Sequence, residues 1–275
     1  MRPLEEQAIL VTGATDGLGK ALATRLASGD ATVLLHGRDD ARGQRMVDEI
    51  RDATGNDRLR WYRADFASLD EVREMADRVA RDEPRLDALV NNAGIGVTLP
   101  GDGTRMESRD GYELRFSVNY LAGFLLTRRL VPLLVDSAPA RIVNISSAGQ
   151  APIYFDDVML ERDYNGVQAY CQSKLAQVMF TFDLAEELAD AGVTANCLHP
   201  ATYMPTKMVT HSGTRPVSTL EEGARATLRL VVAPELAEVT GRYFDGEAES
   251  RAHPQAYDID ARRRLRELSE RLVAR

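Results

Sequence analysis

Ala8-Ile9-Leu10-Val11-Thr12-Gly13-Ala14-Thr15-Asp16-Gly17-Leu18-Gly19-Lys20-Ala21-Leu22-Ala23-Thr24-Arg25-Leu26-Ala27 runs from a short apolar stretch through a glycine-rich turn into a segment of helical periodicity. The apolar stretch reads as a buried strand, so strand, turn and helix follow in that order. Glycines at 13, 17 and 19 let the backbone approach a pyrophosphate. A helix opening near residue 17 aims unpaired N–H groups and a positive dipole end at phosphates. A tight turn without a ligand is the plainer reading, and the context at the start of an alternating domain favours the phosphate site.

Alternation continues along the chain. Strand candidates cover 31–36, 59–64, 86–90, 141–145 and 193–198, and helix candidates cover 39–54, 69–82, 111–135, 168–191, 219–233 and 259–273. Pro84 reads as a break and Gly192 as a helix stop. Neither a linker nor a repeat interrupts the series. The pattern predicts one α/β domain over 1–275: a doubly wound parallel sheet with helices on both faces.

Composition bounds the partners. A formal charge of −8 and a pI near 5.2 argue against nucleic acid or an anionic membrane surface. The sequence offers no evident apolar span of membrane-crossing length and no signal peptide, so a soluble, cytoplasmic protein is expected. Cys171 and Cys197 fall in a predicted helix and a predicted strand, which suits buried, reduced thiols. His36, His199, His211 and His253 lack metal-ligand spacing, and no metal is expected.

Tyr170 and Lys174 are one helical turn apart in Ala169-Tyr170-Cys171-Gln172-Ser173-Lys174-Leu175-Ala176, so a phenol and an ammonium share a helix face. A fixed cation favours the phenolate and moves a tyrosine towards the range useful for acid–base work. Of 34 Lys plus Arg residues only Lys20, Lys174 and Lys207 are lysines. A lysine retained at 174 in so arginine-rich a chain suits a narrow site that a guanidinium fork would overfill. A surface pair on an amphipathic helix is the plainer alternative.

The glycine loop, Asn91-Asn92-Ala93-Gly94, Asn119 in Ser117-Val118-Asn119-Tyr120, Ser146-Ser147, and Tyr170 with Lys174 stand in one order along one predicted fold. In these motifs the chain, from about residue 7 to about 245, resembles the short-chain dehydrogenase/reductase family, whose fold is a Rossmann-type sheet. Arg141-Ile142-Val143-Asn144-Ile145-Ser146-Ser147, the Tyr170 motif, Leu198-His199-Pro200 and Gly241-Arg242-Tyr243-Phe244 are most similar to its retinol-dehydrogenase-like branch. Membrane-anchored members of that branch carry an amino-terminal anchor that is not seen here, so a retinoid substrate does not follow.

The resemblance implies an oxidoreductase in which Tyr170 exchanges a proton with the substrate oxygen. In it, Lys174 lowers the phenol pKa and bonds the nicotinamide ribose, Ser147 orients the carbonyl, and Asn119 holds a water in a proton relay. Ser146 is the neighbour of less interest, and Asn119 also reads as a polar residue bonding backbone in a helix kink. The implied cofactor contacts are Gly13, Thr15, Asp16, Gly17, Leu18, Gly19, Arg38, Asp65, Phe66, Asn92, Ala93, Gly94, Tyr170, Lys174, Pro200 and Thr202. Asp65 equally suits a cap on the helix starting near Ser68, and Thr206 competes with Thr202 for the cofactor phosphate. His199 reads as a strand-end packing residue.

Cofactor choice turns on His36-Gly37-Arg38-Asp39, where Gly37 replaces the acid that would bond an NAD ribose and Arg38 supplies a cation for the phosphate of NADP. NADP(H) is therefore expected over NAD(H), with Arg42 as a helper and Asp16 as the dissenting residue. Residues 149–167 form an inserted loop whose Tyr154, Phe155, Met159 and Tyr164 either line a substrate entrance or cover the sheet end. Residues 203–220 suit a mobile lid with an apolar inner side, which points to an apolar or aromatic ketone or secondary alcohol, such as a ketone of secondary metabolism. Phe116, Leu121, Phe124, Leu125 and Leu130 suggest apolar surface for a homodimer, and the carboxy-terminal helix is expected to be exposed. A dinucleotide-binding sensor or accessory protein without turnover is the alternative function.

Overall fold

The computed structural model describes residues 2–98 and 104–274. Strands β1 (Ala8–Val11), β2 (Thr32–Gly37), β3 (Leu59–Arg63), β4 (Ala88–Asn91), β5 (Ala140–Ile145), β6 (Val193–His199) and β7 (Tyr243–Asp245) pair in parallel, and β8 (Ala248–Ser250) adds an antiparallel edge. Their order is β3-β2-β1-β4-β5-β6-β7-β8, so the winding reverses between β1 and β4. A reversal of this kind opens a crevice at the carboxyl ends of the strands.

Period-2 geometry divides the apolar side chains between the two faces. Ile9 and Val11 of β1 pack under α1 (Gly17–Ser28), α2 (Asp40–Thr54) and α8 (Leu220–Val232), whereas Leu10 joins the opposite core. That core is covered by α3 (Leu69–Asp82), α5 (Ala122–Asp136), α6 (Gly166–Glu187) and α9 (Ile259–Val273). Caps mark the helix starts as the sequence chemistry requires: Asp39 accepts from Arg42 N, Ser68 from Glu71 N, and Thr219 with Glu222 forms a capping box.

Helix 111–135 departs from a single regular element. It starts as α4 (Leu114–Phe116), passes through a π turn (Ser117–Leu121) and continues as α5. The inserted residue of a π turn re-aims the side chains on it, and Asn119 lies there. Contrary to the expectation of no apolar span, Leu114–Asp136 contains an 18-residue window of mean hydropathy 1.3. This helix is part of the core: Phe116, Leu121 and Leu130 are 0% exposed.

Two further expectations are corrected. The five apolar side chains taken as surplus on this helix are all buried within one chain, so they give no ground for pairing. α9 is not an exposed appendage. Leu265 and Ser269 are buried, Arg262 meets Asp183 and Glu186 of α6, and Tyr120 Oη lies 2.8 Å from Ser269 Oγ. α6 starts two residues earlier than expected and ends at Glu187, and Gly192, at φ +68, turns the chain into β6. Strands β7 and β8 were not expected, since three residues each are too few for a periodicity to register.

Leu265→Ala should cost about 2–5 kcal/mol of unfolding free energy, the usual price of truncating a fully buried leucine. Urea denaturation reads the change directly; a loss below about 0.5 kcal/mol would mean that α9 is not part of the core.

Candidate active site

Residues 12–16 leave β1 and close on themselves before α1. Gly13 has φ +66, and a Cβ on it would fall 2.9 Å from Ala93 Cα. A Cβ on Gly19 would collide with Gly13 O, so the first turn of α1 lies directly on the loop. Only glycine permits that approach. Thr12 Oγ1 accepts from Asn92 N at 2.8 Å and Ala93 N at 3.0 Å, while Asn92 Nδ2 donates to Thr12 O at 2.7 Å. Asn92 thus joins the β1 and β4 loops. The glycine cradle and the open first turn of α1 fit the pyrophosphate of a dinucleotide.

His36, buried at the end of β2, anchors the loop from the other side. Its Nδ1 accepts from Gly13 N at 3.1 Å and its Nε2 lies 3.0 Å from Ala64 O, which requires the neutral tautomer protonated on Nε2. Burial holds its pKa down at about 4. Phe66 stacks on the ring with centroids 4.2 Å apart, so its side chain serves the core.

Arg38 follows β2 as an exposed cation that makes no ion pair or side-chain hydrogen bond among the described residues. Arg42 Nη2 instead lies 2.7 Å from Asp16 Oδ2, and Lys207 Nζ reaches the same oxygen at 2.9 Å. Asp16 Oδ1 caps α1 by accepting from Gly17 N at 2.8 Å. Partial burial opposes its ionisation, but the bonds from Lys207, Gly17 and Arg42 win and hold the carboxyl below its ordinary value. Asp65 Oδ1 accepts from Ala67 N, and Ser68, rather than Asp65, caps α3. Thr15 packs its methyl towards Gly37, and Leu18 points into the core.

At the end of β5 the serine pair separates. Ser146 is buried and donates to Lys174 O at 2.9 Å, whereas the partly exposed Ser147 accepts from Gly149 N at 3.0 Å and has its hydroxyl near enough to the Tyr170 phenol to influence it. Lys174 Nζ donates to Ile145 O and Gln177 Oε1, both at 2.9 Å, and lies 5.8 Å from the centre of the Tyr170 ring. Burial brings the Lys174 ammonium down to about 7. Burial also pushes the Tyr170 phenol up, and the nearby Ser147 hydroxyl pulls the other way without offsetting it. The expected lowering of the phenol by Lys174 is therefore absent here: desolvation prevails over a cation that is itself only partly charged at neutral pH.

Asn119 Oδ1 accepts from Ile95 N at 2.7 Å, and its Nδ2 donates to Ile95 O and to Ser173 Oγ. Those bonds match the backbone-clamping reading of Asn119. A Cβ on Gly94 would lie 3.2 Å from Asn119 Oδ1 and 3.6 Å from Lys174 Nζ, so Gly94 lets the β4 loop rest against both.

The inserted loop covers more than it opens. Ile153, Val158 and Leu160 are buried, Tyr164 meets Arg115 at 2.6 Å and Glu113 at 3.1 Å, Phe155 lies under Arg264, and of Tyr154, Phe155, Met159 and Tyr164 Tyr154 alone is exposed. After the buried Pro200, Thr202 Oγ1 lies 2.9 Å from His199 Nε2, whereas Thr206 caps the short α7 (Lys207–Thr210). The Thr206 methyl is 3.1 Å from where a Gly17 Cβ would be, and Met208 fills the space over Gly96. Thr206, not Thr202, thus adjoins the glycine loop. The roles of His36, Thr12 and Lys207 escaped the sequence reading because they depend on contacts between distant segments.

His36→Gln keeps a donor and an acceptor without the titration. The unfolded chain takes up this proton near pH 6.5 and the folded chain near 4, so wild-type stability falls as pH drops through that window, by on the order of 3 kcal/mol from this group. Thermal unfolding from pH 7 to pH 4 should show a shallower decline for the variant, and parallel curves would remove His36 from that account.

The geometry has counterparts among known proteins. Residues 7–216 match the family model described as short chain dehydrogenase. Human retinol dehydrogenase 13 is 39% identical over 96% of this chain and 84% of its own length, and human retinol dehydrogenase 14 is 36% identical over 96% and 85%. A crystal structure of a putative uncharacterized protein from Mycobacterium paratuberculosis superposes with TM-score 0.80 at 28% identity, covering 98% of this chain and 94% of that one. A putative short chain dehydrogenase from Shigella flexneri complexed with NADP gives 0.70 at 26% identity, covering 88% and 97%. A cradle for a dinucleotide, a serine–tyrosine–lysine group at its edge and relatives over nearly the full length agree: the chain belongs to the short-chain dehydrogenase family of oxidoreductases, in its retinol-dehydrogenase-like branch.

Proposed function

We propose that the chain is an NADP(H)-dependent oxidoreductase that moves a hydride between the nicotinamide and the carbonyl or secondary alcohol carbon of an apolar or aromatic substrate. The supporting observation is the Ser147–Tyr170–Lys174 group beside the glycine cradle. When bound, the nicotinamide supplies or accepts the hydride. Tyr170 Oη gives its proton to the carbonyl oxygen, and Ser147 Oγ donates a hydrogen bond to that oxygen as charge builds on it. A phenol held above its ordinary value is protonated at neutral pH, the form that the donor role in reduction requires. Lys174 Nζ has placed two of its donors on Ile145 O and Gln177 Oε1, leaving one for the nicotinamide ribose. Asn119 fixes the β4 loop beside them, with any water relay passing through the remaining lone pair of its Oδ1.

Arg38, without an ion pair among the described residues at the end of β2, supports the phosphate-bearing cofactor, and neighbours solved with NADP and with NADPH lend weight to it. Tyr203, at 53% exposed, and the Met208 side chain over Gly96 give the segment after β6 the apolar character that suits a hydrophobic substrate. Ketones of the secondary-metabolite type fit this reading, and retinal belongs in the same assay because the relatives are named retinol dehydrogenases. A cytoplasmic setting and a homodimer remain part of the proposal, with pairing through a surface other than the face covered by α9.

Tyr170→Phe should lower turnover at least about 100-fold while NADPH affinity, read by fluorescence titration, stays within about twofold. Retention of more than about a tenth of the wild-type rate would remove Tyr170 from the proton-transfer role. Tight NADPH binding by wild type with no turnover across a broad carbonyl panel would instead favour a sensor. Arg38→Ala should weaken NADPH by about 10- to 100-fold and leave NADH nearly unchanged, because only the phosphate loses a charge-assisted partner. Equal losses of both cofactors would reduce Arg38 to a packing residue.

A further inference from the structure

Asp16 stands in the glycine loop where a basic side chain would serve a phosphate-bearing cofactor, and its Oδ2 gathers two cations from elsewhere in the chain. Arg42 comes from the first turn of α2, and Lys207 comes from the first residue of α7, beyond β6. The two cationic nitrogens approach one oxygen at 2.7 and 2.9 Å, so they lie close together beside the crevice. The two cations outnumber the one carboxylate they share, so the cluster itself is net positive, and Arg38, without an ion pair among the described residues, follows nearby in sequence with Asp39 and Asp40 after it. Such an arrangement attracts a phosphate monoester.

Stability does not account for the cluster. Lys207, Arg42 and Asp16 have side chains 63%, 39% and 46% exposed, and ion pairs this open contribute little to folding. Residue choice adds a second consideration: Lys207 is one of only three lysines in the chain. A compact, rotatable ammonium can leave a carboxylate for a nearby phosphate more freely than a bidentate guanidinium fork. α7 is also seated beside the cradle, with Thr206 against Gly17 and Met208 over Gly96, so Lys207 stays near the glycine loop while Asp16 is exchanged for another anion.

We infer that Lys207 is a cofactor-selectivity residue carried by the segment after β6, held in place by Asp16 and turned with Arg42 onto the ribose phosphate of the cofactor. The inference rests on the NADP(H) reading above and deepens it. The phosphate preference of the protein is then supplied jointly by the end of β2, the start of α2 and α7, and the selectivity depends on α7 being seated on the cradle.

Lys207→Met retains the aliphatic stem and removes the charge. Fluorescence titration should show NADPH affinity falling about tenfold with NADH changed less than twofold, and Lys207→Arg should restore most of the loss. Competition by adenosine 2′-monophosphate should weaken in parallel in Lys207→Met, while competition by adenosine 5′-monophosphate should not. Wild type that prefers NADPH and a Lys207→Met variant with an unchanged NADPH-to-NADH ratio would overturn the inference and leave the cofactor reading standing. Equal loss of both dinucleotides would also overturn it, assigning Lys207 to the phosphates that both share. Wild type without a preference for NADPH would overturn the cofactor reading itself and this inference with it.

Discussion

Everything at the candidate active site depends on the hydrogen bonds that tie the β1 loop to the β4 loop through Thr12 and Asn92. A parallel sheet that reverses its winding leaves the loops after β1 and β4 diverging to opposite faces, and without a tie the crevice between them would have no fixed width. Thr12 Oγ1 takes two backbone N–H groups of the β4 loop, and Asn92 Nδ2 returns a bond to Thr12 O. The glycine cradle is built against that tie: a Cβ on Gly19 would lie only 2.6 Å from Asn92 Nδ2. His36 holds the far side of the same loop. Asn92, read from sequence as a cofactor contact, therefore acts first as the part that shapes the place where a cofactor can lie.

The same constraint explains which features were legible in the sequence. The strand–glycine–helix order, the alternation of elements and the Tyr170–Lys174 spacing are local, since each depends on residues within a few positions of one another. The doubly wound parallel sheet, its two-faced helix cover and the near-exact bounds of α2, α3, α8 and α9 follow from such patterns. Asn119 was placed correctly in a helix, but the π turn that aims it at Ile95 leaves no mark in apolar periodicity. The Asp16 cluster was invisible for a different reason. Its members are 26 and 191 positions from Asp16, and side-chain charges on three separate elements meet only after the fold has formed.

Burial of α9 shows a limit of reading amphipathicity from one helix at a time. Arg262, Arg263, Arg264 and Arg266 make α9 look like a solvated face, and five apolar residues make the preceding long helix look over-supplied. Each judgement is reasonable alone, yet they are complementary: α9 lays Leu265 and Ser269 into the core, and Arg262 and Arg266 approach Asp183 of α6. An apolar excess on one element and an apparent deficit on another are jointly evidence for their contact.

Electrostatics at the reacting end work against the simplest account of the tyrosine–lysine pair. If Lys174 served only to lower the phenol pKa, the protein should place it close to Tyr170 in a setting that keeps it fully charged. Instead it is buried, brought down to about 7, and bonded to a carbonyl and an amide that leave one donor unspent. Those bonds fix the ammonium beside Gly94 and Asn119, where a Cβ would obstruct any approach. The arrangement reads more naturally as a positioned hydrogen-bond donor whose charge strengthens once an electron-rich oxygen meets it. In the proposed reduction the phenol, kept protonated by burial beside Ser147, is then the group that delivers a proton to the substrate oxygen as charge builds there.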